Sequence, residues 1–249
     1  MNELYDWLLA SAAQARRVEH LCLGLNWTLA EVDGSQGFAF SPRQVPRTLD
    51  WSGTLAGQDN AALLPWLLSW NDAEAAIGLA VLNASVNTPD GCQREALALR
   101  SAAPGHLRVF AHFRARLAGK RVVVIGHYPG LERLWQDQPY RCLERHLQEG
   151  DLPDCAAEYL LPEADWVFVS ASSIANKTLP RLLELSRQAR VVLMGPSLPW
   201  LEGWRRFGVD YLAGVRVVDP DGVRRVVAEG GGTRLFAGPV EYALMAFGE

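Results

Sequence analysis

The chain has 249 residues, 49% hydrophobic and 21% charged, with a net charge of −4. That length can bury a substantial core, as one large domain or two smaller ones. The mild acidity gives nucleic acid or an anionic membrane no footing, and no apolar run approaches the roughly 20 residues that span a bilayer. Leu4, Trp7, Leu8, Ala12, Ala15 and Val18 recur at helical spacing, which predicts an amphipathic helix over 4–18. Leu21, Leu23, Leu25, Trp27 and Leu29 alternate strictly, the pattern of a strand with one packed face. Gly34 to Gly37 is a turn signal, and Phe38 to Phe40 resumes a strand, so a hairpin is expected. Asp59 or Asn60 can cap a short helix through Leu68, with Pro65 near its first turn, and Asp72 can cap a second helix to about Ser85.

The grammar changes near Ala103-Pro104-Gly105, which divides the chain into an α+β unit over 1–104 and a second unit over 105–249. His106 to Ala118 reads as a helix ended by Gly119. Strands then alternate with helices. The strands are Val122–Ile125, about Tyr140–Leu143, Trp166–Ser170 and Val191–Met194. The helices start at Leu131, run around Ala156–Leu161 and Lys177–Arg187, and lie near Leu201–Phe207. Such alternation means a parallel sheet with crossover helices. Asp219-Pro220 caps a helix that Gly230-Gly231-Gly232 ends, and Pro239 to Phe247 reads as a closing helix.

In an open parallel sheet, ligands bind beyond the carboxyl ends of the strands. Four places answer to that. At Gly126-His127-Tyr128-Pro129-Gly130 the glycines admit a ligand to the backbone, and His127 could act as an acid or base. It is a weak dinucleotide fingerprint, not Gly-x-Gly-x-x-Gly. Glu144 follows at the spacing of a ribose-binding acid, although a surface glutamate paired with Arg141 or Arg145 is the commoner outcome. The loop with Ser170, Ser172, Asn176 and Thr178 offers more polar side chains than capping a helix requires. Gly195-Pro196-Ser197 is a stiff, shaped turn, with or without a ligand.

The residues after Met1 carry acids where a secretory leader would be basic, which points to a cytoplasmic protein. Cys22, Cys92, Cys142 and Cys155 are scattered, the usage of reduced, isolated thiols. His20 with Cys22, and Cys142 with His146, are pairs rather than sites, and no histidine or cysteine cluster of metal-site density is evident. No Gly-x-Ser-x-Gly elbow and no Walker lysine occur. The nine tryptophans read as core or domain-interface packing.

Several segments together resemble one family. They are the alanine-rich stretch Glu74–Ala84 with its Asn83-Ala84 end, Val124–Pro129, Leu161–Val167, Asn176-Lys177-Thr178, Gly195-Pro196-Ser197 and Gly208–Gly214. In number and order, from roughly Asn26 to Phe236, they resemble the DUF364 and DUF4213 pair, a prokaryotic family with a heavy-metal chelation label. The resemblance implies an α/β protein, in which an enolase N-terminal-like domain precedes a Rossmann-like domain with the active site between them. It places Asn83 and the loops at Gly126–Pro129, Ser170–Thr178 and Gly195–Ser197 along that cleft. The expectation is a small anionic metabolite or metal chelate as ligand, with no nucleic acid and no membrane as partner. The alternatives are a lyase- or transferase-type enzyme using His127, or a dinucleotide-dependent oxidoreductase using Gly126 and Glu144. No cofactor or metal is identified by the sequence, and a homo-oligomer is left open.

Overall fold

The computed structural model describes residues 3–46 and 48–248. The first lobe comprises α1 (Glu3–Ser11), the antiparallel strands β1 (Val18–Leu23), β2 (Trp27–Val32) and β3 (Ser35–Phe40), then α2 (Asn60–Leu63) and α3 (Asp72–Val86). The expected long strand is interrupted at Gly24-Leu25-Asn26, where the chain turns and leaves Leu25 80% exposed. Leucines in that register mimic one strand, but Asn26 Nδ2 donates to the Gly230 carbonyl and pins the turn to the second lobe. All six residues of β2 are buried, so this central strand is covered on both faces rather than one. Ala30 and Val32 join the core that contains α3, whereas Trp27 and Leu29 join a core with Val223 and Val227.

The first helix stops at Ser11, well short of Val18, which opens β1. Asp59 caps α2 as expected, its carboxylate accepting from the Ala61 amide. Asn71, one residue before the expected Asp72, caps α3 by accepting from the Ala73 and Glu74 amides. The β3–α3 contact is backbone on backbone: a Cβ on Gly37 would lie 2.0 Å from the Ala84 nitrogen.

The second lobe is an eight-stranded sheet. Its strands are β4 (Leu97–Ala98), β5 (Val122–Ile125), β6 (Arg141–Glu144), β7 (Leu152–Pro153), β8 (Trp166–Ser170), β9 (Arg190–Met194), β10 (Tyr211–Val217) and β11 (Val240–Ala246). They are ordered β4-β11-β10-β9-β8-β5-β6-β7. Strands β5 to β10 run parallel. Helices α4 (Arg108–Phe113), α5 (Leu131–Leu134), α6 (Ala157–Leu160), α7 (Leu179–Leu185) and α8 (Pro220–Ala228) connect them, several being single turns flanked by 3-10 segments. Asp219 caps α8 through the Gly222 amide, with Pro220 at its first position.

Residues 240–246, read as a closing helix, form β11 instead, antiparallel to β10. Val240, Tyr242 and Leu244 pack into one core while Ala243 and Met245 meet the other, so period-two burial overrides a composition that tolerates helix. Strand β4 precedes the expected junction at 103–105 yet pairs with β11. The main core draws on both lobes, from Leu8 and Ala80 to Val169 and Leu212.

Candidate functional site

The chain runs from β5 outward to β6 and β7, then returns to β8 on the other side of β5. The carboxyl ends of β5 and β8 therefore flank the switch point at which open α/β sheets bind ligands. Gly126 sits there with φ +104°, and a Cβ on it would lie 3.4 Å from that of Ser170. A backbone at that φ favours glycine, whatever the space around it.

Above this point lies a cavity of about 530 Å³. Its floor is Gly126 to Pro129, Glu144, Ser170, Ser172, Asn176 and Gly195 to Ser197. The first lobe supplies Asn26, Trp27 and Phe40 to Gln44 as the opposite wall. All four strand-end turns meet there. Two candidates stand apart. Thr178 lines an adjoining cavity of about 470 Å³, and its amide and hydroxyl both donate to Asn176 Oδ1. Asn83, expected in the cleft, is fully buried behind the wall. Its Nδ2 donates to the Phe38 carbonyl at 2.7 Å and the Ser197 carbonyl at 2.9 Å, joining β3 to the turn after β9.

One helical turn on, Asn87 continues that clasp. Its side-chain Nδ2 donates to the Leu198 carbonyl and its Oδ1 accepts from the Trp200 backbone amide. Ser197 Oγ accepts from the Phe40 amide, so this serine also ties the lobes together.

Glu144 lines the cavity, but its carboxylate accepts from the backbone amides of His127, Arg145 and His146 at 2.7–3.1 Å. It organises two turns, a role that neither the ribose-binding nor the arginine-pairing alternative anticipated. His106, His127 and His146 all line the cavity, three of the chain's five histidines, together with Arg43 and Arg145. His106 Nε2 lies 3.0 Å from the Pro129 carbonyl and must donate to it. His127 Nδ1 is 3.1 Å from each oxygen of Asp151, which fixes a proton on Nδ1 and leaves Nε2 as the acceptor of the neutral ring. Burial opposes ionisation of Asp151, but hydrogen bonds from Cys142, His127 and the Gln148 amide outweigh it and hold its carboxyl below the usual value. Burial drives the Tyr128 phenol up to about 12, so it stays protonated beside the cavity.

The fold also assembles a group that the sequence reading missed. One donor atom each from His127, Cys142 and Asp151 lie within 4.8 Å of one another. The available signal was weak, namely a histidine after β5, a cysteine within β6, and an aspartate after Gly150 in the next turn.

The model of DUF364, described as "Putative heavy-metal chelation", matches residues 108–246, and that of DUF4213, with the same description, matches residues 5–86. The chain belongs to the DUF364 family. A crystal structure of a family member of unknown function from Desulfitobacterium hafniense superposes with a TM-score of 0.85 at 30% identity, over 98% of this chain and 97% of that one. A second family structure, also of unknown function, from Pyrococcus horikoshii, shares the fold with a TM-score of 0.76 at 20% identity over 98% of both chains. An uncharacterised protein of Methanocaldococcus jannaschii is 37% identical over 79 residues, 30% of this chain and 30% of that protein. Among the described residues no helix is long and apolar enough to cross a membrane.

Proposed function

We propose that the cleft binds a small anionic molecule, specifically an anionic metal chelate. The observation that carries this reading is the single cavity where four strand-end turns face the first lobe, lined by three imidazoles and two guanidinium groups. Guanidinium forks suit carboxylates, and imidazoles can complete the coordination of a metal that arrives already chelated. The family description agrees with metal handling. Of the two acids that line the cavity, Asp72 and Glu144, the glutamate has its charge met by three amides.

The test is calorimetry and thermal shift with nickel citrate, citrate alone and nickel alone. Nickel citrate should raise the melting temperature through binding to the native state, and Arg43→Ala with Arg145→Ala should abolish the rise. Failure of the intact protein to respond to millimolar nickel citrate would overturn the reading.

The contact between Asp151 and His127 favours a second reading, in which His127 performs acid–base chemistry on the bound molecule. His127→Ala would then retain ligand affinity while turnover is lost. A dinucleotide is disfavoured on three counts. There is no glycine fingerprint, α5 after β5 has only four residues, and Glu144 is already occupied by amides.

A further inference from the structure

From the geometry we infer that His127, Cys142 and Asp151 form a protein-coordinated site for a divalent transition metal under the β5–β6 rim of the cleft. This goes beyond capture of a preformed chelate: here the chain itself supplies the ligands. The donors come from three consecutive segments of the sheet edge, namely the turn after β5, β6 itself and the turn into β7.

The donor set is one imidazole nitrogen, one sulfur and one carboxylate oxygen, which suits zinc, cobalt or nickel rather than magnesium or calcium. A tetrahedral metal about 2.0–2.1 Å from nitrogen and oxygen and about 2.3 Å from sulfur holds its ligand atoms about 3.3–3.6 Å apart. His127 Nδ1 and Asp151 already stand 3.1 Å apart, and all three donors lie within 4.8 Å. Small side-chain adjustments close the set.

Burial supplies the second argument. The Asp151 side chain is 3% exposed, and its ion-pair partner among the described residues is His127, an uncharged ring unless protonated. Cys142 is 8% exposed, and its sulfur lies 3.5 Å from the Gly126 carbonyl. The Asp151 carboxylate already accepts from His127 and the Gln148 amide, and a divalent cation would add a full opposite charge that also meets the Cys142 thiolate. On binding, the Cys142 thiol loses its proton to solvent, and the His127 ring proton moves from Nδ1 to Nε2 through solvent, so that the ring stays neutral and its Nδ1 lone pair is free for the metal. Three protein ligands leave one position for water or for an atom of a molecule in the cleft, which His127 lines.

Cobalt(II) titration of the intact protein tests this by absorption. We expect one equivalent bound with a thiolate-to-cobalt charge-transfer band. A Cys22→Ser/Cys92→Ser/Cys155→Ser variant should keep the band, Cys142→Ser should lose it, and Asp151→Asn should weaken binding at least tenfold. If Cys142→Ser fails to fold, as judged by circular dichroism, the three-cysteine variant and His127→Ala still decide, since the first must keep the band and the second must lose or weaken it. No cobalt binding, or a band that survives removal of Cys142 or His127, would overturn the proposal and leave the group as a hydrogen-bonded network. Nickel citrate binding in the Cys142→Ser or three-cysteine variant, read by calorimetry, reports separately on the chelate reading.

Discussion

Glu31 and Arg224 join the lobes, and removing one should cost far more than removing the other. Glu31 lies on β2 with its side chain 5% exposed, while Arg224 on α8 is 46% exposed. The guanidinium meets both carboxylate oxygens at 2.6 and 2.7 Å, and Gln36 Nε2 donates to Oε1 at 2.8 Å. Arg224→Ala leaves a buried carboxylate with Gln36 alone, a loss of about 3 kcal/mol at neutral pH. Glu31→Gln leaves a half-exposed arginine that water can solvate, a loss of about 1 kcal/mol. The double variant should lose about 1.5 kcal/mol, a coupling energy of about 2.5 kcal/mol. Urea unfolding followed by tryptophan fluorescence measures all four proteins. Acid provides an internal check. Burial raises the Glu31 carboxyl, but bonds from Arg224 and Gln36 outweigh it and hold it below its ordinary value of 4.5. A carboxyl lowered by folding stabilises above its unfolded value and loses that contribution as pH falls through the lowered one. The wild type should therefore weaken below about pH 4.5, while the gap to Arg224→Ala narrows as Glu31 protonates. Equal costs for the two single variants, or coupling under about 0.5 kcal/mol, would refute the reasoning.

Gly37→Ala should destabilise the protein by about 3 kcal/mol or more, because its Cβ would meet the backbone of Ala84 and Ala80 at 2.0 and 2.4 Å and no flexible side chain can yield. Urea unfolding checks it. Asn83→Asp replaces both donors with a buried charge facing two carbonyls, and thermal unfolding should show a loss of about 3 kcal/mol or more. Alkylation of the native protein near pH 8, read by mass spectrometry, should label exposed Cys155 well before Cys92, whose thiol burial pushes up to about 11.

Much of the fold is legible because its signals are local. Val122–Ile125, Trp166–Ser170 and Val191–Met194 announce central strands through unbroken apolar runs, and the caps at Asp59 and Asp219 are read from one side chain each. What escaped depends on distant partners. Residues 240–246 become a strand because β10 lies beside them, and the leucine alternation before Trp27 is broken by a turn that bonds Gly230, just past the end of α8. The cleft follows the same division. Glycine-bearing turns after strands locate it, whereas the work of Asn83 is settled by the carbonyls of Phe38 and Ser197, 45 and 114 residues away along the chain. His127, Cys142 and Asp151 lack the short, regular spacing of a metal motif because the sheet edge, not one helix or loop, brings them together.

Helix α1 packs Trp7 edge-on against Trp204 and at a tilt against Phe207 and extends the Tyr5 hydroxyl to the Ile174 carbonyl, while α8 lends Arg224 to the opposite half. Each half thus wears a piece of the other, like two hands with fingers interlaced. A chain cut between them should yield fragments that are insoluble singly but regain structure when mixed, and the groove between them should keep its width, admitting guests through its mouth rather than by opening like a jaw.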